Sequence, residues 1–93
     1  MDKFYIVLSP HAVKDLDGFS DTACTRIAGA MKALEENPFP RGKLIKKIKG
    51  KRSDYYRVRV DKYRVFYIIE GSKVVVLKIL SKKDVDRFIS NLN

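Results

Sequence analysis

Between Tyr55 and Leu80 the chain holds three runs of β-branched and aromatic residues: Tyr-Tyr-Arg-Val-Arg-Val, Tyr-Arg-Val-Phe-Tyr-Ile-Ile-Glu and Lys-Val-Val-Val-Leu-Lys-Ile-Leu. Only Asp61-Lys62 separates the first run from the second, and only Gly71-Ser72 the second from the third. Residues of these types favour the pleated conformation, and breaks this short admit only tight hairpin turns. The spacing predicts a three-stranded antiparallel meander.

Two-residue turns also determine the register. Val60 is expected opposite Tyr63, Arg59 opposite Arg64, Val58 opposite Val65 and Arg57 opposite Phe66. Because side chains alternate between faces, one face carries Tyr56, Val58, Val60, Tyr63, Val65, Tyr67 and Ile69, the core side. The other carries Arg57, Arg59 and Arg64 at one end, and Phe66 and Ile68 at the other. Like charges directly opposite destabilise a sheet. A local rule broken without any gain in stability points to a site, and a polyanion lying across the arginines is the simplest compensation. Continuing the ideal pairing puts Lys78 opposite Val65 on the core face, a misfit that a bulge or a snorkelling edge position resolves.

Charge supports the same reading. Residues 1–40 hold four Lys or Arg against six Asp or Glu, a net of −2; residues 41–93 hold sixteen against five, a net of +11. The positive field belongs to the sheet half and calls for a polyanionic or acidic partner. A lysine-rich surface alone explains scattered lysines but not three arginines on one strand face. At 93 residues the chain fits one domain, 1–93, with one modest core. No apolar run approaches the roughly 20 residues of a membrane span and no signal peptide is visible, so a cytoplasmic location is expected. The single cysteine, Cys24, reads as a small buried helix residue and the single histidine, His11, as a surface residue; a zinc site lacks ligands.

Phe4–Leu8 reads as a strand buried on both faces. Ser9 and Pro10 suit an N-cap and the first helical position, opening a short helix to about Asp17 with Val13 and Leu16 inward and Gly18 at its end. Ser20 caps a second helix whose stripe is Ala23, Ile27, Ala30, Met31 and Leu34, bounded by Pro38 and Pro40. The two helices are expected as a hairpin against the core face of the meander. Seven of the twelve residues from Arg41 to Arg52 are Lys or Arg, anchored by Leu44, Ile45 and Ile48, with a short edge strand as one form. Lysines there protect an edge from aggregation or funnel phosphate inward. Ser81 and Asp84 resemble a capping box, and Val85, Phe88, Ile89 and Leu92 mark a terminal helix whose apolar side covers Phe66, Ile68, Val75 and Leu77.

The order strand, helical pair, basic segment and "YYRVRVDKYRVFYIIEGSKVVVLKILSKKDV" resembles the RelE/ParE superfamily of toxins from type II toxin–antitoxin modules. The resemblance implies an α+β fold: an antiparallel twisted sheet of about four strands, an N-terminal helical hairpin on one face and a short C-terminal helix. It implies a metal-independent ribonuclease without cofactors, cutting messenger RNA on the ribosome and so inhibiting translation. The RNA's own 2′-hydroxyl attacks the neighbouring phosphate while a basic face stabilises the transition state. On matching positions, Arg57, Arg59, Arg64, Lys82 and Lys83 are the implied catalytic residues. Lys47, Lys49, Lys51, Arg52 and Phe88 are the candidate RNA-binding ones. Ser81 stands where many active members carry histidine, and Asp86 where they carry tyrosine. The implied partners are an acidic RelB-like antitoxin in a hetero-oligomer, the ribosome and its message, and no membrane. Two other readings remain open: a ParE-like toxin that inhibits DNA gyrase or a toxin homologue that only binds its antitoxin, and a plain RNA-binding module.

Overall fold

The structure is a computed structural model that describes residues 3–92, Leu92 by its backbone alone; the expected inward role of the Leu92 side chain therefore lies outside the described residues. In chain order the elements are β1 Tyr5–Leu8, α1 Pro10–Asp17, α2 Asp21–Leu34, β2 Ile45–Lys49, β3 Asp54–Val60, β4 Tyr63–Glu70, β5 Lys73–Ser81, a 3₁₀ turn Lys82–Asp84 and α3 Val85–Leu92. The strands form one sheet in the order β1-β5-β4-β3-β2.

The meander forms in the expected register. Val60 pairs with Tyr63, Arg59 with Arg64, Val58 with Val65 and Arg57 with Phe66. Both turns open on a residue with positive φ, Asp61 at 56° and Gly71 at 59°. Glycine enters this region freely and aspartate is among the few others that do so readily. Of the two resolutions of the Lys78 misfit, a bulge is present: Phe66 pairs with Lys78, but Tyr67 pairs with Val76, leaving Leu77 as the extra residue. The slip puts Ile79, not Lys78, opposite Val65. Ile79 is then buried in the core, and the Lys78 ammonium reaches Asp15 Oδ1 at 2.7 Å.

Three expectations are corrected. The sheet has five strands rather than about four, and it is not wholly antiparallel, because β1 runs parallel to β5, Tyr5 to Leu8 against Lys73 to Val76. Local sequence marks β1 as a strand but carries no sign of a partner so far along the chain. Second, β1 is not buried on both faces: Tyr5 is 67% and Val7 41% exposed. It is an edge strand, covered on one side only. Third, the helices do not act as a hairpin unit. α1 packs mainly on β5 and also on β1, while α2 packs on β3 and β1. In α1, Ala12 is buried and Leu16 half-buried, but Val13 is 45% exposed, so the inward stripe is rotated by one position.

That placement gives α1 a second task. Where β1 ends at Leu8, the outer edge of β5 would be left without partners. The Ser9 hydroxyl, which also accepts from the Ala12 amide as N-cap, donates to the Leu77 carbonyl at 2.8 Å. Asp15 Oδ2 accepts from the Ile79 amide at 2.9 Å. Side chains from a helix thus complete a sheet edge, meeting the requirement that buried backbone groups be paired.

The core lies between the inward sheet face and the two helices. Ile27, Met31 and Leu34 of α2 pack with Val58, Val60, Val65, Tyr67, Val74, Val76 and Ile79. On the opposite face α3 covers only the apolar end, where the Phe66 and Phe88 rings lie 4.7 Å apart. The arginine end stays open beside the start of α3.

Candidate nucleic-acid interface

The unfavourable cross-strand arrangement expected from the sequence is realised. Arg59 pairs directly with Arg64, and Arg57 lies one alternation along on the same face. The neighbouring edge strand adds to it, since Lys46 pairs with Arg57 and partners in register share a face. Between this patch and the start of α3 is a cavity of about 430 Å³. Lys46, Lys47, Arg57, Arg64 and Lys82 line it together with Asp86, and Ile48, Val85 and Ile89 form its apolar wall.

Arg64 is only 6% exposed. Its Nη1 donates to the carbonyls of Asp61 and Tyr63, each at 2.8 Å. These bonds tie one terminal nitrogen of the guanidinium to the β3–β4 turn and fix where the group points. Burial, then the nearby Arg59, lowers the Arg64 pKa from its ordinary value. Burial, then Arg64 and Arg59, lowers that of Arg57. Both shifts say the same thing: positive charge is held here against its own repulsion and partial desolvation. Among the described residues the ion pairs are Lys3–Glu36, Arg26–Asp61, Lys47–Asp54 and Lys78–Asp15. None of these pairs includes Arg57, Arg59 or Arg64, so no carboxylate among them neutralises that charge.

The remaining candidates divide. Lys82 lines the cavity, whereas Lys83 faces a neighbouring one. Arg59 is on the right face but exposed and outside the lining. Lys47 lies at the rim, yet its register with Tyr56 assigns it to the opposite face, and its ammonium pairs with Asp54 at 3.2 Å. Lys49, in register with Asp54, shares that opposite face. Lys51 and Arg52 are exposed between β2 and β3, away from the cavity. The Phe88 ring is spent on Phe66 rather than free to stack on a base. Lys46 is the residue that the sequence left out. Placing it required the β2 register, because shifting a strand by one residue exchanges its faces.

Five cations around one carboxylate form a surface whose chemistry suits a phosphodiester. Guanidinium forks suit phosphate oxygens, and fixed cations favour charge that develops during phosphoryl transfer. Among the described residues no three His, Cys, Asp or Glu side chains converge as metal ligands.

Fold and site together describe a small protein built on one sheet with a strongly basic outer face. Residues 6–86 match the model of the family described as ParE toxin of type II toxin–antitoxin system, parDE; the chain belongs to this family, within the RelE/ParE superfamily. A curated relative from Methanocaldococcus jannaschii that carries the name RelE1 is 27% identical over 84 residues, spanning 88% of this chain and 92% of the relative. Among solved structures, the archaeal RelE–RelB complex from Pyrococcus horikoshii superposes with a TM-score of 0.74 at 26% identity, covering 86% of this chain and 96% of that one. The RelB–RelE antitoxin–toxin complex from Methanococcus jannaschii gives 0.68 at 28% identity, with 88% and 96% covered.

Proposed function

We propose that this toxin is a ribosome-dependent endoribonuclease that cleaves messenger RNA and so halts translation. The observation that carries the reading is the convergence of Lys46, Arg57, Arg64 and Lys82 on one cavity, with no carboxylate paired to either arginine among the described residues. In the reaction the 2′-oxygen bonds to the adjacent phosphorus and the bond from phosphorus to the 5′-oxygen breaks. Arg57 and Arg64 stabilise the charge gathering on the non-bridging oxygens. Asp86 accepts the 2′-hydroxyl proton, and Lys82 supplies one to the departing 5′-oxygen. Positioning the strand contributes much of the acceleration.

The test uses purified ribosomes translating a defined message, with cut ends mapped by primer extension. Cleavage in register with the codons is expected. Arg57→Ala should lower the rate by about 10²–10³, as removal of a transition-state donor does. A message left intact by the wild-type protein would overturn the proposal.

The matching family model is named for ParE, which favours a second reading, inhibition of DNA gyrase. A supercoiling assay separates the two: blocked supercoiling with an uncut message supports the second alone. Either toxin needs a neutralising partner. The archaeal RelE structures were solved with RelB, and the positive sheet half suits an acidic antitoxin segment in a hetero-oligomer.

A further inference from the structure

A second cavity adjoins the arginine one, and the proposed cleavage does not use it. Its volume is about 740 Å³, within the range of small-molecule sites. Lys82 and Asp86 border both cavities, so the two adjoin across one ridge at the start of the 3₁₀ turn and α3. Its floor is aromatic: the Tyr63 ring rests on Phe19 with centroids 4.7 Å apart. Its rim is cationic. Lys62 and Lys83 line it, and the Lys62 ammonium lies 5.8 Å from the Tyr63 ring centroid.

An aromatic floor beside lysines is how single-stranded nucleic acid is held without reading its sequence: the ring stacks on a base and the ammonium groups meet the backbone. We infer that this second cavity is a subsite for the nucleotide flanking the cleaved bond. The base lies over Tyr63, and its phosphate lies between Lys62 and Lys83. The strand then crosses the Lys82–Asp86 ridge. The inference rests on the single-stranded RNA reading of the arginine cavity and adds a residue of substrate length to it. It also explains why Tyr63 sits half-buried at the sheet end, with Phe19 as its backing, rather than wholly under α2.

Fluorescence anisotropy with 2′-O-methylated oligonucleotides tests this, because such strands cannot be cut. Wild-type protein should bind a tetranucleotide more tightly than a dinucleotide. Tyr63→Leu should remove about tenfold of the tetranucleotide affinity, the worth of one base stack, and leave the dinucleotide as it was. Lys62 is exposed, so Lys62→Ala keeps the fold; it should flatten the salt dependence of tetranucleotide binding by about 0.7 in log–log slope. Arg57→Ala should weaken both lengths. If both Tyr63→Leu and Lys62→Ala bind the tetranucleotide as the wild type does, or if they lose equally at both lengths, the subsite is refuted. A length step in a protein that cuts no message would overturn the nuclease reading and keep the subsite. Codon-register cleavage without the step would do the reverse.

Discussion

The two faces of the β3–β4 hairpin share one backbone and one register, yet they obey opposite rules. On the inner face, Val58 meets Val65 and Tyr56 meets Tyr67, whose rings stack at 5.6 Å. Every pair there adds to stability. On the outer face Arg59 meets Arg64, and burial together with the facing Arg59 lowers the proton affinity of Arg64. The inner face is what a sheet needs in order to fold. The outer face is what a sheet tolerates once the inner one has secured it. The proposed function lies on the side where a stability cost can be carried by the other side.

If that division holds, damage to the inner face should dominate any comparison of variants. Ile27 is wholly buried against the inner strands. Truncating it removes several methylene groups and leaves a cavity, so Ile27→Ala should cost about 2–5 kcal/mol in a urea titration. A loss below about 1 kcal/mol would mean that α2 is not what holds the inner face together.

Tyr67 offers a finer test of the same face. Its hydroxyl donates to the Pro38 carbonyl at 2.7 Å. Burial, and then Tyr56, pushes its pKa up from the ordinary 10.0. The folded state therefore keeps its proton where the unfolded chain begins to lose it. Stability from this group is complete below about pH 10 and falls as pH rises above it. Tyr67→Phe should cost about 1 kcal/mol at neutral pH for the lost hydrogen bond, and its stability should decline less steeply between pH 10 and pH 11.5. Parallel declines in wild type and variant would show that the phenol is not the group responsible.

How much of this was readable in the chain depends on the distance over which the information acts. The β3–β4 register follows from a two-residue turn, and the arginine patch follows from the register. The misfit at Lys78 was visible, though not whether a bulge or a snorkelling edge position would resolve it. By contrast, the pairing of β1 with β5 joins Tyr5 to Lys73, and nothing near either residue specifies it. The capping of β5 by Ser9 and Asp15 is equally non-local: Ser9 reads fully as a helix cap, and its second bond to Leu77 has no local signature. Lys46 and Lys47 show the narrowest failure. They are adjacent in a basic run and both border the cavity, but only the start of β2 decides which one shares the arginines' face. The exposure of Val13 has a similar origin, since an eight-residue helix carries too few apolar positions to fix its own rotation.

The smallest expected effect is the one specific to the outer face. Arg59 is exposed and lies outside the cavity lining, while its charge lowers the pKa of both Arg57 and Arg64. Its amide donates to the Leu44 carbonyl at 2.9 Å, a bond that any side chain other than proline keeps. Arg59→Met retains the long stem and removes the charge. If like-charge repulsion is the cost borne by this face, the variant should gain about 0.2–1 kcal/mol of stability at low salt. The gain should shrink as ionic strength rises, because screening already relieves an exposed charge. Thermal unfolding at 20 mM and 500 mM salt measures both. A variant that is less stable, or equally stabilised at both salts, would mean that Arg59 packs rather than repels. The two faces would then differ in chemistry but not in cost.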